Sequence, residues 1–412
     1  MSDSPPERLH QRWLSIIGIG DDGLDSLSPI AKSLIDKAQL VVGGERHLAL
    51  LAPISTTTTQ QQLTWAKPIS DSVGLIQQHH GQAVCILASG DPLCYGIGTT
   101  ILRHISIEQI TIIPAPSAFS LAASRLGWSL PETETVSLCG RDPHLINALL
   151  YSGARILALS ADRHTSTQVA QILNQQGQGD VEITVLEHLG GKDEKIITSS
   201  AADWSEPTVA QLNMMALSCP AKITGLSRSP GLPDNSYCHD GQLTKREIRA
   251  VTLAALAPLP GQLLWDVGAG NGSIGIEWMR SDARNLAISI EQNSQRCQNI
   301  AHNAAALGVP NLQIIAGQAP TAIDELTIPD AIFIGGGLTI PGVFEKCWHH
   351  LKTGGRLVAN AVTVETEQRI FQLQNQYGGN LSRIAIQQAE PIGKFLGWKA
   401  SAPITQWCVT KH

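Results

Sequence analysis

Leu263-Leu264-Trp265-Asp266-Val267 runs directly into Gly268-Ala269-Gly270-Asn271-Gly272 and then into Ser273-Ile274-Gly275-Ile276-Glu277-Trp278. An apolar run, a glycine-rich turn and a helix-like stretch in that order predict a buried strand, a tight loop at its carboxyl end and a helix starting there. Glycine accepts positive φ and leaves room for a ligand against the backbone. The next apolar run, Leu286–Glu291, ends in an acid roughly 20 residues on, where a carboxylate accepts hydrogen bonds from ribose hydroxyls. Gly268, Ala269, Gly270, Asn271, Gly272 and Glu291 are therefore expected to hold a nucleoside-bearing cofactor. Nicotinamide dinucleotides use a similar crevice. Asp266 before the first glycine and the Gly-x-Gly-x-Gly spacing favour S-adenosyl-L-methionine, because the dinucleotide fingerprint has Gly-x-Gly-x-x-Gly.

Outward from this loop the same grammar repeats. A helix over Lys245–Leu256 precedes it, and strands are expected at Gln262–Val267, Leu286–Glu291, Leu312–Ala316, Ala331–Ile334 and Arg356–Asn360, with helices beginning near Ser273, Ser294 and Pro341. Upstream, strands at Trp13–Ile19, Gln39–Val42, Ala83–Ala88 and Ile110–Ile113 each give way to a loop and a helix-like stretch, the pattern of a mostly parallel α/β sheet. Strands at Arg155–Leu159, Glu182–Leu186 and Asn213–Leu217 have shorter spacers, which points to a partly antiparallel second half. Ser227-Arg228-Ser229-Pro230-Gly231-Leu232-Pro233-Asp234-Asn235 breaks the alternation and reads as a connection. The expected organisation is α/β with two domains, 12–219 and 243–412, joined by a linker over 220–242.

The 412 residues are long for one domain, and 43% hydrophobic against 16% charged content suits a globular chain with a sizeable core. A formal net charge of −6 lacks the basic excess of a nucleic-acid binder. The eight cysteines show no CxxC pair and no metal-type spacing with histidine, so no metal site is expected. Met1 to Gln11 is polar without a signal pattern, and no apolar run reaches the roughly 18–20 residues that cross a bilayer. A cytoplasmic protein without membrane partners is expected.

A second glycine-rich loop, Gly18-Ile19-Gly20-Asp21-Asp22-Gly23, lies near the start of the chain in different surroundings. It is accompanied by VVGGERHL (Val41–Leu48), ASGDPLCYGIG (Ala88–Gly98) and PAPSAFSLAASRLGW (Pro114–Trp128), and this N-terminal half resembles the C5-methylating members of the tetrapyrrole methylase family. The C-terminal half carries His239-Asp240-Gly241-Gln242-Leu243-Thr244-Lys245-Arg246-Glu247, the Gly268 loop and Phe333-Ile334-Gly335-Gly336-Gly337. It resembles the decarboxylating precorrin C15-methyltransferases of cobalamin biosynthesis.

The resemblance implies a two-lobed tetrapyrrole methylase fold followed by a Rossmann-like class I methyltransferase fold, with S-adenosyl-L-methionine bound once in each domain. It implies methyl transfer to C5 and C15 of precorrin-6B, or its cobalt form, with loss of the C12 acetate carboxyl to give precorrin-8. Relatives of both halves are homo-oligomers, so a dimer or tetramer is implied. To the cofactor residues it adds Thr244 and Ala319, and in the first domain Ser89, Gly90, Asp91, Cys94, Ser117 and Ala118. In the family pattern a proline commonly follows the second glycine of the first loop; Asp21 stands there instead, so that loop is expected to shape the substrate trough or turn the chain. Thr244-x-x-Glu247 also reads as a capping box, a structural role that is compatible with cofactor binding.

Methyl transfer from a sulfonium to an enamine-like carbon needs alignment and a dry site rather than an activated serine or cysteine. Decarboxylation needs an electron sink, which the macrocycle supplies, and proton management, for which His239, Asp240 and Asn360 are the candidates. A substrate rich in acetate and propionate groups calls for basic residues, here Lys245, Arg246 and Arg249 in the second domain and Arg141 in the first. A nucleic-acid methyltransferase of the amino-methylating kind would carry an Asp/Asn-Pro-Pro-Tyr/Phe strand end where this chain has Ile334-Gly335-Gly336-Gly337.

Overall fold

A computed structural model describes residues 12–51, 60–205 and 208–412, so the expectation for Met1 to Gln11 lies outside the described residues. Two compact units emerge. The first comprises the described residues up to Arg141 together with Gly153–Ile223, and the second comprises Asp142–Ser152 with Thr224–His412. Thus Asp142–Ser152, expected inside the first domain, belongs by its contacts to the second unit.

Sheet one of the first unit contains β1 (Leu14–Ile19), β2 (Leu40–Gly43), β3 (Gln61–Thr64), β4 (Val84–Ser89) and β5 (Ile110–Ile113), all parallel in the order β3-β2-β4-β1-β5. β1 and β2 are buried throughout, as parallel strands covered on both faces must be. Their side chains alternate between two cores: Leu14 and Ile16 pack with Val42, Ile76 and Ile86, whereas Ile17 and Ile19 pack with Ala31, Ile35 and Leu87. The flanking helices are α1 (Pro29–Lys37), α2 (Glu45–Ala49), α3 (Ile69–Gln78) and α4 (Ile97–Ile101). Ser28 caps α1 by accepting from the Ala31 N–H at 3.2 Å, with Pro29 at the first position, a combination that stabilises the helix start by about 1 kcal/mol.

α5 (Ala118–Leu126) leads to the second sheet of this unit: β6 (Glu134–Ser137), β7 (Arg155–Leu159), β8 (Glu182–Glu187), β9 (Lys195–Ser200) and β10 (Asn213–Ser218), with α6 (Thr165–Gln175) between β7 and β8. The order is β6-β7-β10-β8-β9, parallel only between β6 and β7. In this sheet β6 and β9 are unexpected; both lie at its edges and carry mostly polar residues.

The second unit is built on β11 (Leu263–Val267), β12 (Leu286–Glu291), β13 (Gln313–Ala316), β14 (Ala331–Ile334), β15 (Arg356–Ala361), β16 (Asn380–Ile384) and β19 (Ile404–Thr410). A separate hairpin is formed by β17 (Gln387–Ile392) and β18 (Phe395–Ala400). In the order β13-β12-β11-β14-β15-β19-β16 the first five strands are parallel and the last two antiparallel. Helices α7 (Arg246–Leu256), α8 (Ser273–Ser281), α9 (Ser294–Ala306), α10 (Val343–His350) and α11 (Val364–Tyr377) cover it. Leu264 and Trp265, neighbours in β11, enter opposite cores. No helix among the described residues is long and apolar enough to cross a membrane.

From Thr224 onward, the stretch expected as a linker over 220–242 belongs to this unit. Glu277, 2% exposed on α8, accepts from the N–H groups of Gly231 (2.6 Å) and Leu232 (3.0 Å), from the Tyr237 hydroxyl (2.9 Å) and from Arg249 Nε (2.8 Å). Arg249, 0% exposed, reaches Asp234 at 2.8 Å and the carbonyls of Thr244 and Leu232, and lies 4.8 Å from the Tyr237 ring centroid. Arg249 is therefore a structural cation and not the substrate-facing group expected from its place on the helix. Its guanidinium is consumed by the Glu277 and Asp234 carboxylates and two carbonyls, Asp234 being shared with Lys245 at 3.7 Å. Glu277→Ala leaves that charge underpaired, and is expected to lower the unfolding free energy of this unit by about 3–5 kcal/mol in urea denaturation followed by tryptophan fluorescence.

Candidate active sites

In the second unit a cleft of about 850 Å³ opens where β11, β12 and β14 end. Its lining includes Thr244, Gly268, Ala269, Gly270, Glu291 and Ala319, six of the expected cofactor residues. Gly268 has φ +69°, and a Cβ there would stand 2.8 Å from the Gly336 nitrogen, so the loops after β11 and β14 pass backbone against backbone. The Gly268 and Ala269 N–H groups both donate to the Ile290 carbonyl. Gly270 N–H donates to one Glu291 oxygen and Asn293 N–H to the other, each at 2.9 Å. The carboxylate is thus oriented by backbone donors and keeps acceptor capacity for hydroxyls.

Asn271 and Gly272 lie beneath the cleft rather than along it. Asn271, 1% exposed, donates to Asp240 (2.9 Å) and to the Gln242 carbonyl (2.7 Å), and accepts from Asn299 (2.8 Å). It fastens the loop to the preceding segment. Gly272 starts α8, with Ile300 filling the space where a side chain would be. Asp266 points away from the cleft to the Gly275 N–H at 3.0 Å; burial pushes its carboxyl up to about 7 despite that bond, with Glu291 adding to the rise.

The proton-handling candidates separate. Asp240 accepts from Asn271, from Arg296 at 2.8 Å and from the Gln242 N–H. These donors hold it far below the usual carboxylate range and occupy it in the loop. His239 is exposed and its Nδ1 accepts from the Gly241 N–H. Neither lines the cleft, a correction to the expectation. Asn360 does line it, fixed by donating to Thr252 (2.9 Å) and accepting from Gln406 (3.0 Å).

Helix α7 starts at Arg246 with Lys245 as a cap that makes no side-chain bond, so the Thr244–Glu247 capping box does not form. Arg249 takes the Thr244 carbonyl and delays the helix start. Of the three basic candidates here, Lys245 lines the cleft; Arg246 donates to the Gly231 carbonyl.

The first unit holds a cleft of about 400 Å³ between its two sheets, and Ser89, Gly90, Asp91, Cys94, Ser117 and Ala118 all line it. The Ser117 hydroxyl caps α5 through the Ser120 N–H (3.1 Å), and Asp91 accepts from the Leu93 N–H (2.8 Å), so both also shape their own turns. Burial raises the Cys94 thiol above its ordinary range, with Asp91 adding to the rise against a bond from Ser117. Gly18 is embedded in β1 against Gly90 and Ala115, while Gly20 and Asp21 reach the cleft wall. Arg141 is exposed and outside the lining, its guanidinium 5.5 Å from the ring of Tyr95, which does line it.

Besides Asp21, whose loop was expected to shape a trough or turn the chain, the cleft is completed by polar groups that sequence reading missed: Arg46, His47, Ser160, His188 and Asn213. Arg46 and His47 stand in the quoted VVGGERHL motif, and His188 follows β8 directly; neither position announces a cleft, because the partners come from distant segments. His47 Nδ1, Ser160 Oγ and Asn213 Oδ1 are buried without a hydrogen-bond partner, which fits a ligand presenting polar edges. Burial, and then Arg46 beside it, lowers His47 to about 4.

The unfolded chain protonates this histidine near 6.5, so stability is full above that pH and declines as pH falls from 6.5 towards 4. Histidine ring resonances are expected to show a group titrating near 4 that His47→Gln removes and Arg46→Gln moves upward.

Residues 14–204 match the family described as tetrapyrrole (corrin/porphyrin) methylases, and residues 235–411 match the precorrin methyltransferase domain. The chain is 46% identical over 413 residues to a precorrin-6Y C(5,15)-methyltransferase (decarboxylating) of Sinorhizobium sp, covering 100% of this chain and 99% of that protein. A protein of the same name from Mycobacterium tuberculosis (strain CDC 1551 / Oshkosh) is 41% identical over 400 residues, covering 96% and 99%. The crystal structure of the C-terminal domain of precorrin-6Y C5,15-methyltransferase from Rhodobacter capsulatus is 45% identical, covering 45% of this chain and 100% of that one, with a TM-score of 0.43. The first unit is a tetrapyrrole methylase domain and the second a methyltransferase domain of Rossmann-like build. The chain belongs to the precorrin-6Y C5,15-methyltransferase (decarboxylating) family.

Proposed function

We propose that this chain acts in cobalamin biosynthesis by methylating precorrin-6B, or its cobalt form, at C5 in the first unit and at C15 in the second. The second unit also removes the C12 acetate carboxyl, giving precorrin-8. The observation that carries this reading is the presence, in a chain matched end to end by proteins of that name, of two clefts built on different strand-end architectures. S-adenosyl-L-methionine, one molecule in each unit, supplies an electrophilic sulfonium methyl.

In the second unit Glu291, oriented by the Gly270 and Asn293 N–H groups, would receive the ribose hydroxyls, and Ala319 would flank the adenine. Thr244, Gly268, Ala269 and Gly270 would form the rest of the cradle. In the first unit Ser89, Gly90, Asp91, Cys94, Ser117 and Ala118 would hold the donor, and the unpaired atoms of Ser160 and Asn213 would meet polar ligand edges. Apolar side chains line both clefts, Ile290 and Phe333 in one and Leu186 and Met214 in the other, and would keep water from the reacting carbon. That exclusion of water strengthens positioning and protects the sulfonium. Lys245 and Arg141 are the cations offered to substrate carboxylates. Asn360, held on both its amide atoms, would orient the acetate while the macrocycle takes up its electron pair.

The homo-oligomer is part of the same reading, as is the absence of a nucleic-acid partner. Ile392, Phe395, Leu396 and Trp398 are exposed on the β17–β18 hairpin, an apolar group that a second copy would cover. Light scattering is expected to give a dimer or tetramer, reduced towards monomer by Phe395→Ser with Trp398→Ser.

Metal-free and cobalt-loaded precorrin-6B, supplied separately, are expected to identify the true substrate by a product with two added methyl groups and one carbon dioxide lost. Gly270 has φ +60° and the Gln242 carbonyl 3.0 Å from where its Cβ would be. Gly270→Arg therefore obstructs the second cradle and is expected to leave C5 methylation alone. Loss of both methylations in the folded variant would count against independent sites.

A further inference from the structure

Two histidines line the cleft of the first unit, and they are wired differently. His47 Nε2 faces Arg46 Nη2 at 3.1 Å and Ser89 Oγ at 2.9 Å, so its lone pair is taken by the arginine, while its other nitrogen is buried without a partner. His188 instead has Nδ1 2.9 Å from the Asp21 carboxylate. An ionised carboxylate only accepts, so Nδ1 carries the proton and Nε2 of the neutral ring carries a lone pair. That Nε2 has no protein partner among the described residues, and the side chain is 30% exposed in the cleft wall. The other Asp21 oxygen accepts from Arg46 Nη1 at 2.9 Å, and Arg46 Nη2 donates to Ser89 at 2.9 Å.

This arrangement is assembled from distant segments at some conformational cost. His188 has φ +47°, a region in which side-chain-bearing residues are uncommon. Gly191 stands so close that a Cβ would lie 2.5 Å from Asp21 Oδ2. The turn after β8 thus admits the carboxylate only because that position has no side chain. Asp21 itself stands in the loop where the family pattern commonly has proline, a loop expected to shape the substrate trough or turn the chain.

We propose that His188 is the proton acceptor of the methyl transfer in the first unit, with Asp21 as its positioning residue. The inference rests on the reading of this unit as the C5-methylating one. Replacing hydrogen by methyl at a bridging carbon releases one proton per turnover. The carbon–methyl bond forms as the sulfur–methyl bond breaks, with sulfur keeping that electron pair. The C–H bond then breaks, its electrons return to the conjugated ring, and the proton passes to His188 Nε2 and on to solvent. Asp21 fixes the tautomer and stabilises the resulting imidazolium, the role of a carboxylate behind a histidine base. The titratable and charged groups lining the cleft with His188 include Asp21 from the first loop, Arg46 and His47 from α2, and Asp91 and Cys94 after β4; its own turn also carries Lys192, Asp193 and Glu194, of which Glu194 is committed to Arg125 and the Gly190 N–H.

The test uses the full chain with precorrin-6B and donor carrying a ¹³C methyl, resolving C5 from C15 incorporation by NMR. His188→Asn suits it, because asparagine tolerates positive φ and its amide can still donate to Asp21 while offering no base. The expected result is C5 methylation slowed about 10²- to 10⁴-fold, with C15 methylation, decarboxylation and donor binding by equilibrium dialysis unchanged. Asp21→Asn is expected to slow C5 methylation and to move the acid limb of its pH profile to lower pH. A residue that merely joins the lobes would leave that limb in place. A His188→Asn rate within threefold of the parent, or an unchanged acid limb in Asp21→Asn, overturns the proposal. Absence of C5 methylation in the parent chain would overturn the reading of the unit itself, and this inference with it.

Discussion

Parallel strands deliver their carboxyl ends to one edge of the sheet, and both clefts follow from that constraint. In the first unit β1, β4 and β5 end together, so Gly20 and Asp21, Ser89 to Asp91 and Pro116 to Ala118 meet at one place. In the second unit β11, β12 and β14 do the same for Gly268 to Gly270, Glu291 and Gly335 to Gly337. Loops brought so close must pass at backbone distance, which is why glycines accumulate at these ends. The chemistry of each cleft depends on what the loops carry once they have arrived.

The two units treat charge in different ways. In the second, Glu291 is held at the cleft by backbone N–H groups, which leaves it acceptor capacity for hydroxyls, while Asp234, Lys245, Glu247, Arg296, Glu390 and Lys399 place further charges of both signs in the lining. The strong ion pair there, Arg249 with Glu277, is withdrawn beneath the site, where it fastens residues 231–237 to α7 and α8. In the first unit the ion pair stands in the cleft wall itself. Arg46 bridges Asp21 to Ser89; burial, and then Arg46, keeps His47 neutral, and His188 is the imidazole backed by a carboxylate.

The long apolar runs made the architecture legible. β5, β7 and β12 begin and end where their periodicity predicts, and the Gly268 loop with Glu291 occupies the expected corner of the expected sheet. Edge strands β6, β9 and β16 were illegible because, with polar and exposed residues, they have no burial pattern to display. Thr244 and Arg249 show the limit of local rules. A capping box and a helix-borne cation are sound local readings, yet Arg249 turns inward to Glu277 and takes the Thr244 carbonyl with it.

By itself the sequence determined two unlike α/β units and a glycine-rich turn at Gly268 closing a buried strand, because each is written in contiguous residues; the family was carried by resemblance to quoted motifs. Tertiary structure alone decided that Asn271 and Asp240 fasten a loop instead of lining a cleft, that Asp142–Ser152 packs with the second unit, and that Asp21, Arg46 and His188 converge. Asp21 and His188 are 167 residues apart in the chain. A hydrogen bond across that interval leaves no local pattern, since its partners are brought together by the packing of two sheets and not by the spacing of residues along either.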